Sequence, residues 1–520
     1  MTTISPFAAG SYLTTRNAAQ LTTLKNQLNT LSNQVSSGQV AQTYGGLGSG
    51  RSTVLAAQAT LSALSGYAAG ITAGQTRTNL AVTSLTQVAT LGTSARQTLN
   101  NGLQSVATNS VAGRSTALGD LQTALDALNQ SAAGNYLFGG GDASTQPVVD
   151  ADTILNGTTN SDGTTKAGLS QLIKEQVAAD LGSGTGRLTT SAPGGTSVTL
   201  TEEQDAATRA SFGFILGGAS STTSAIRASA TAGTSTAPGT VNINVNSQPA
   251  AGDSVTVTLK MHDGTSTTLT LTAVSGTTTT TASSTGATFA TGSDITATAT
   301  NLNNALQSAL KAAAGSTLAV SSTTLAAKNF FSGSASAGVI PQRVGQDASG
   351  NPIYVPGTKD NTVLWYQGED SGTPAINTQS VQISAGASIG TGARANDPAI
   401  QNVLAGLATM AFALPTTNDD TANATYQAVI DRAGTLLSSA DTSPSVQDTV
   451  TQLSLASARL SSASTTNTAT QNTVQNTLDG IEQAPTEEVV AKLLDVQNRL
   501  QASYQITASL SKLSLVNYIS

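Results

Sequence analysis

Near the N-terminus, apolar side chains fall at alternating steps of three and four: Leu21, Leu24, Leu28, Leu31 and Val35. This is the a/d seam of a helix that packs along one stripe. Ser36-Ser37-Gly38 predicts its end, with Gly38 as the left-handed stop. A second stripe holds Leu61, Leu64, Ala68 and Ile71, and a third holds Leu118, Leu121, Leu125 and Leu128. Between them Leu85, Val88, Ala95 and Leu99 share one helical face from Leu80 to about Leu103. At the other end a seam runs from Val446 through Val450, Leu453, Ser457, Leu460, Ser464, Asn467, Gln471, Val474 and Leu478 to Ile481, five heptads in one register. Its polar positions Ser464, Asn467 and Gln471 predict weak packing or polar neighbours at mid-helix. After Pro485, Thr486 reads as an N-cap with Glu487 and Glu488 in the first turn. Val489, Leu493, Val496, Leu500 and Leu510 then carry the last stripe.

The middle has a different texture. From about 145 to 395 Thr, Gly, Ser and Asn dominate, and apolar positions alternate with period two, as in Val241-Asn242-Ile243-Asn244-Val245. The run Val255–Leu259 alternates in the same way and returns to Leu269 and Leu271 through His262-Asp263-Gly264-Thr265, a hairpin signal. Further strands are expected at 362–366 and 380–383, a helix at 298–314, and a low-complexity loop from Thr277. The expected class is α+β: helices from the two ends form a coiled-coil or bundle stem, with a β-rich insertion at the far end.

The organisation expected is a terminal helix (1–45), N-terminal helices of an adjacent helical domain (46–144), the β-rich insertion (145–395), C-terminal helices of the adjacent domain (396–485) and a second terminal helix (486–520). A terminal helix pair alone is too thin to bury a core. Leu21, Leu24, Leu28, Leu31, Val35, Val489, Leu493, Val496, Leu500 and Leu510 are therefore candidate self-assembly positions between molecules.

Composition narrows the chemistry. Among 520 residues there is no cysteine and one histidine, which excludes disulfides, thiolate catalysis and multi-histidine metal sites. Only 10% of residues are charged, against about 25% in an ordinary chain. A net charge of −7 without a Lys/Arg cluster argues against nucleic acid. The start lacks a basic segment followed by an apolar core, and no window approaches 18 unbroken apolar residues. No cleaved signal peptide and no membrane insertion are expected.

Candidate sites are sparse. His262 reads as an exposed turn residue. Gly139-Gly140-Gly141 lacks the lysine and helix start of a phosphate loop and reads as a change of chain direction. Asp419-Asp420 and Glu487-Glu488 lack the spacing of a calcium loop. Trp365, Tyr366 and Tyr354 read as core of the insertion rather than a sugar-stacking patch. No constellation supports an enzyme, a cofactor or a metal.

Both ends resemble the bacterial flagellin and flagellar hook-associated protein family. TLKNQLNTLSNQVSSGQ (residues 23–39) is similar to the family's first helix with its SSG end, and RTNLAVTSLTQVATL (77–91) to the segment that follows. The likeness covers roughly 1–140 and 400–520. Ala132-Ala133-Gly134-Asn135-Tyr136-Leu137-Phe138-Gly139-Gly140 resembles the G-x-Y-L/I-F-x-G turn of the hook-filament junction type, as does the ending LQASYQITASLSKLSLVNYIS. Tyr366-Gln367-Gly368-Glu369-Asp370 and Arg394-Ala395-Asn396-Asp397-Pro398 resemble that type too. AQTYGGLGSG (41–50) departs from the acidic stretch usual after SSGQ.

The resemblance implies terminal helices that polymerise with neighbouring subunits, in the filament or at the junction, to support swimming. It also implies export through the flagellar type III apparatus without a cleaved signal, an extracellular location, and partners among flagellar axial proteins together with an export chaperone. The alternative is a surface adhesin whose insertion binds glycans on a flagellin-like stem.

Overall fold

A computed structural model describes residues 6–102, 106–160, 163–191, 195–276, 282–416, 421–438 and 445–519; the side chains of 6–11, 13, 106–110 and 510–519 are outside the description. Its class is mixed α and β. In chain order the helices are α1 (Pro6–Ser37), α2 (Arg51–Gly102), α3 (Val106–Ala127), α4 (Ala151–Asn156), α5 (Leu169–Leu181) and α6 (Ala206–Arg209). They continue with α7 (Ile295–Ala313), α8 (Ala319–Phe331), α9 (Pro398–Ala413), α10 (Ala422–Leu436), α11 (Val446–Glu482) and α12 (Thr486–Ile519). The chain divides into two compact units, Met1–Thr72 with Gln382–Ala387 and Leu460–Ser520, and Ala73–Val381 with Ser388–Arg459. Helices α2 and α11 contribute residues to each.

The two stripes expected around Leu61–Ile71 and Leu80–Leu103 are one continuous helix, α2, because nothing between them breaks it. Tyr44–Gly102, which contains it, is the one stretch among the described residues long and apolar enough to cross a membrane by length and composition. Its Ala81, Leu85, Val88, Ala95 and Leu99 are nevertheless buried in the protein core. The α11 boundaries agree with the heptad seam. Helix α12 begins at Thr486 itself, and Val489 N–H donates to Pro485 O (2.9 Å), so Pro485 rather than Thr486 takes the cap position.

The larger unit holds two cores. One is helical: Leu85, Leu99, Leu121, Leu125 and Leu128 pack with α5, α8, α9, α10 and the start of α11. Leu118, expected on the same stripe, is instead exposed. The second core lies between 188 and 318 and is built on two sheets with α7. One sheet orders its strands Thr189–Thr190, Ser197–Thr201, Thr240–Val245, Ile226–Thr231; the other orders Ala282–Ser283, Gly286–Ala290, Ser266–Val274, Ser254–Lys260, Ile215–Ser221. The 254–260/266–274 hairpin forms as its alternation predicts, Val255 opposite Leu271 and Val257 opposite Leu269. The stretch 145–395, uniform in composition, thus divides between the two cores.

Three expectations differ from the structure. Residues 277–281 of the low-complexity run are outside the description, but Gly286–Ala290 is a strand, parallel to Ser266–Val274, because Phe289 and Ala287 are buried in the β core. Only glycine fits at 286, where φ is +152° and a Cβ would meet Thr270 O. Residues 362–366 make isolated bridges rather than a regular strand. The helix expected at 298–314 spans Ile295–Ala313 and passes through a π-turn, Ala314–Leu318, into α8.

A small hairpin follows α3, pairing Ser131 with Tyr136 and Ala132 with Asn135. Its two loop residues, Ala133 (φ +52°) and Gly134 (φ +80°), have the positive φ that a two-residue hairpin turn requires. Alanine carries a steric penalty at that φ, and the position is exposed. Ala133→Asn is expected to stabilise the larger unit by about 1 kcal/mol, read as a raised denaturation midpoint at unchanged slope; a loss of stability would show that the turn is not strained.

Candidate self-assembly surface

In the smaller unit, α1 and α12 pack against each other. Gly38 adopts φ +69°, and its N–H donates to Gln34 O (2.9 Å), terminating α1 as expected. Just beyond, Gln39 and Gln483 form an antiparallel bridge, with Val40 N–H donating to Glu482 O (2.7 Å) and Ala484 N–H to Gly38 O (2.9 Å). This clasp joins the end of α1 to the short connection between α11 and α12.

Val489 and Val496 are buried, and Leu21, Leu24, Leu28, Leu31, Val35, Leu493 and Leu500 are half-buried. The Leu510 side chain lies outside the described residues. Two helices cannot cover both faces of each other. Tyr12 (68% exposed), Leu494 (54%) and Ile506 (59%) stand in solvent on the same pair. Nearby, α2 and α11 pack through Val54, Ala57 and Leu478. The polar seam positions find the polar neighbour they need: Asn467 is buried and donates from Nδ2 to Leu64 O (2.9 Å), and Gln471 Nε2 donates to Asn467 Oδ1 (3.4 Å).

The larger unit brings together stretches that are remote in sequence. Ala395 N–H donates to Phe138 O (3.0 Å), Gly140 N–H to Ala393 O (3.1 Å) and Glu369 N–H to Gly139 O (2.9 Å). Arg394 Nη2 reaches both Glu369 carboxylate oxygens at 3.0 Å, and Gly141 N–H donates to the same carboxylate (3.1 Å). A Cβ at Gly139 would lie 2.1 Å from Asp142 O. The triple glycine is therefore a packed change of direction whose N–H groups at 140 and 141 are taken by protein acceptors. Asp397 caps α9 by accepting from Ala399 N–H (3.0 Å). Trp365 and Tyr366 are buried here, and Trp365 Nε1 donates to Phe331 O (2.9 Å). They belong to the helical core, not to the β core of the insertion; Tyr354 is partly exposed and lies against Phe212, ring centroids 4.7 Å apart and planes tilted by 39°.

His262 is not the exposed turn residue expected. The hairpin tip that carries it docks on α10: Arg432 Nε donates to Asp263 Oδ2 (2.6 Å) and Arg432 Nη2 to Thr265 Oγ1 (2.7 Å). His262 is half-buried, with Nε2 enclosed and unpaired among the described residues. Burial would raise the Asp263 carboxyl, but hydrogen bonds from Thr265 and the charge of Arg432 hold it below the usual range. Arg432→Met leaves that carboxylate buried without its cation. A loss of about 3 kcal/mol is expected, and the double variant Arg432→Met/Asp263→Asn is expected to recover part of it; equal losses in the single and double variants would refute the coupling.

The acidic pairs supply no site. Glu488 makes an exposed pair with Lys492 (2.6 Å), which contributes little, and Asp419-Asp420 lies outside the described residues. Among the described residues no three His, Asp or Glu side chains gather to hold a metal ion. Comparison with protein-family models and with curated proteins found no match for this chain.

Proposed function

We propose that this chain is a structural subunit of the bacterial flagellum, of the flagellin and hook-associated type. In this reading it is exported without a cleaved signal and polymerises outside the cell through α1 and α12. The observation that carries the reading is the clasped pair of helices from opposite ends of the chain. Apart from Val489 and Val496 its described seam is only half-buried, and the pair also exposes Tyr12, Leu494 and Ile506. Apolar side chains displayed on so thin a layer favour contact with further helices. Neighbouring copies, and other axial proteins at the ends of the polymer, supply them, so that the stem becomes a coiled-coil layer of a tube. The chain acts by assembly and not by catalysis. The likeness of 132–140, 366–370 and 394–398 to junction proteins adds support, since these stretches meet in one hydrogen-bonded hub.

Immunogold electron microscopy of intact cells, with antibody against residues 145–395, tests the proposal. Label along whole filaments assigns the chain to the filament, and label confined to the hook-proximal base assigns it to the junction. Flagella without label would end the flagellar reading.

A further inference from the structure

A cavity of about 520 Å3 opens in the larger unit among α3, α5, α8, α9 and the start of α10. Its wall is mixed. Ile173, Val320 and Phe412 supply apolar surface, and the buried Thr323 spends its hydroxyl on Ala319 O (2.8 Å). Two cations, Arg114 and Lys174, line the same space. Arg114 Nη1 donates to Leu414 O (3.4 Å), which holds the guanidinium at the cavity, and Lys174 is exposed. Neither has a carboxylate partner among the described residues, and no carboxylate lines the cavity among them. In a chain with 22 Lys and Arg and a net charge of −7, two cations line one partly apolar space whose described lining carries no carboxylate.

We propose that this cavity binds a small amphipathic organic anion, an apolar chain or ring carrying one carboxylate. The volume lies in the range of small-molecule sites. The apolar wall takes the body of the ligand, and Arg114 and Lys174 take the carboxylate by charge-assisted hydrogen bonds. The reading is independent of filament assembly, because none of these residues belongs to the terminal helices.

Decanoate is the probe, titrated by calorimetry into the full-length monomer, with decanol as the headgroup control. Submillimolar saturable binding of decanoate is expected, with decanol at least about tenfold weaker. Arg114→Met with Lys174→Met should weaken decanoate about tenfold while leaving decanol unchanged. Ala178→Trp, at an exposed lining position, should block both ligands with circular dichroism unchanged. If decanoate fails to bind, or binds no better than decanol, the proposal is overturned. Asp419 and Asp420, outside the described residues, are the nearest competing anions along the chain after Thr416. Binding that appears only in Asp419→Asn/Asp420→Asn would show that the chain neutralises its own cations, and would overturn the proposal as well.

Discussion

In the proposed assembly, Leu28→Asp and Leu500→Asp are each expected to abolish polymerisation while the larger unit keeps its fold. Both leucines sit on the seam between α1 and α12 and are half-buried in the single chain. At about 25 cal/mol per Å2, partial burial of a leucine contributes on the order of 1 kcal/mol in the monomer and rises towards 2–3 kcal/mol when neighbouring helices complete the cover. A carboxylate at either position forfeits that gain and adds the cost of removing a charge from water. Because the loss recurs at every subunit addition, a few kcal/mol raises the critical concentration more than a hundredfold. Seeded assembly followed by light scattering should give no growth, while the near-ultraviolet signal of buried Trp365 stays at the wild-type value. Normal filaments from either variant would remove the terminal seam from the mechanism.

Leu453, Leu460 and the Val255–Leu259 alternation were legible because period announces itself in a helix or strand that buries one face. Helix α8 was not. Its sequence AVSSTTLAAKNFF breaks the aliphatic pattern with four hydroxyl residues in a row, yet Ser322, Thr323 and Thr324 are buried. Their hydroxyls donate to the carbonyls of Leu318, Ala319 and Val320 at 2.8–2.9 Å. Satisfied by the preceding turn, such residues pack as small apolar ones, and periodicity counted on aliphatic residues passes over them. The candidate assembly residues were legible as two stripes, but the clasp at Gln39 and Gln483 that ties their helices together was not, since it is made by backbone groups of no particular sequence. Nor does spacing reveal that Glu369 meets Arg394 or that Asp263 meets Arg432. Each pair is made by chain segments that converge only after the cores have formed.

The Glu369–Arg394 hub should make stability depend on acid in a defined window. Burial pushes the Glu369 carboxyl up, but hydrogen bonds from Ser371, from Gly141 N–H and from Arg394 outweigh it and hold the group at about 2, against 4.5 ordinarily. A depressed carboxyl stabilises the fold above its ordinary value, and that contribution disappears as pH falls from about 4.5 towards 2. The shift corresponds to about 3 kcal/mol, reduced to about 2 kcal/mol because the side chain is 27% exposed and partly screened. Glu369→Gln is therefore expected to cost about 2 kcal/mol at pH 7 and almost nothing near pH 2. Arg394→Met, which leaves the carboxylate beside an empty place, should cost about 3 kcal/mol at pH 7. Because other carboxylates titrate in the same window, the measurement is the difference between wild type and variant in hydrogen-exchange protection of the Gly140 and Ala395 amides, whose bonds close the hub. A difference that stays constant from pH 7 to pH 3 would mean that these segments are held by packing alone and that the ion pair only decorates their junction.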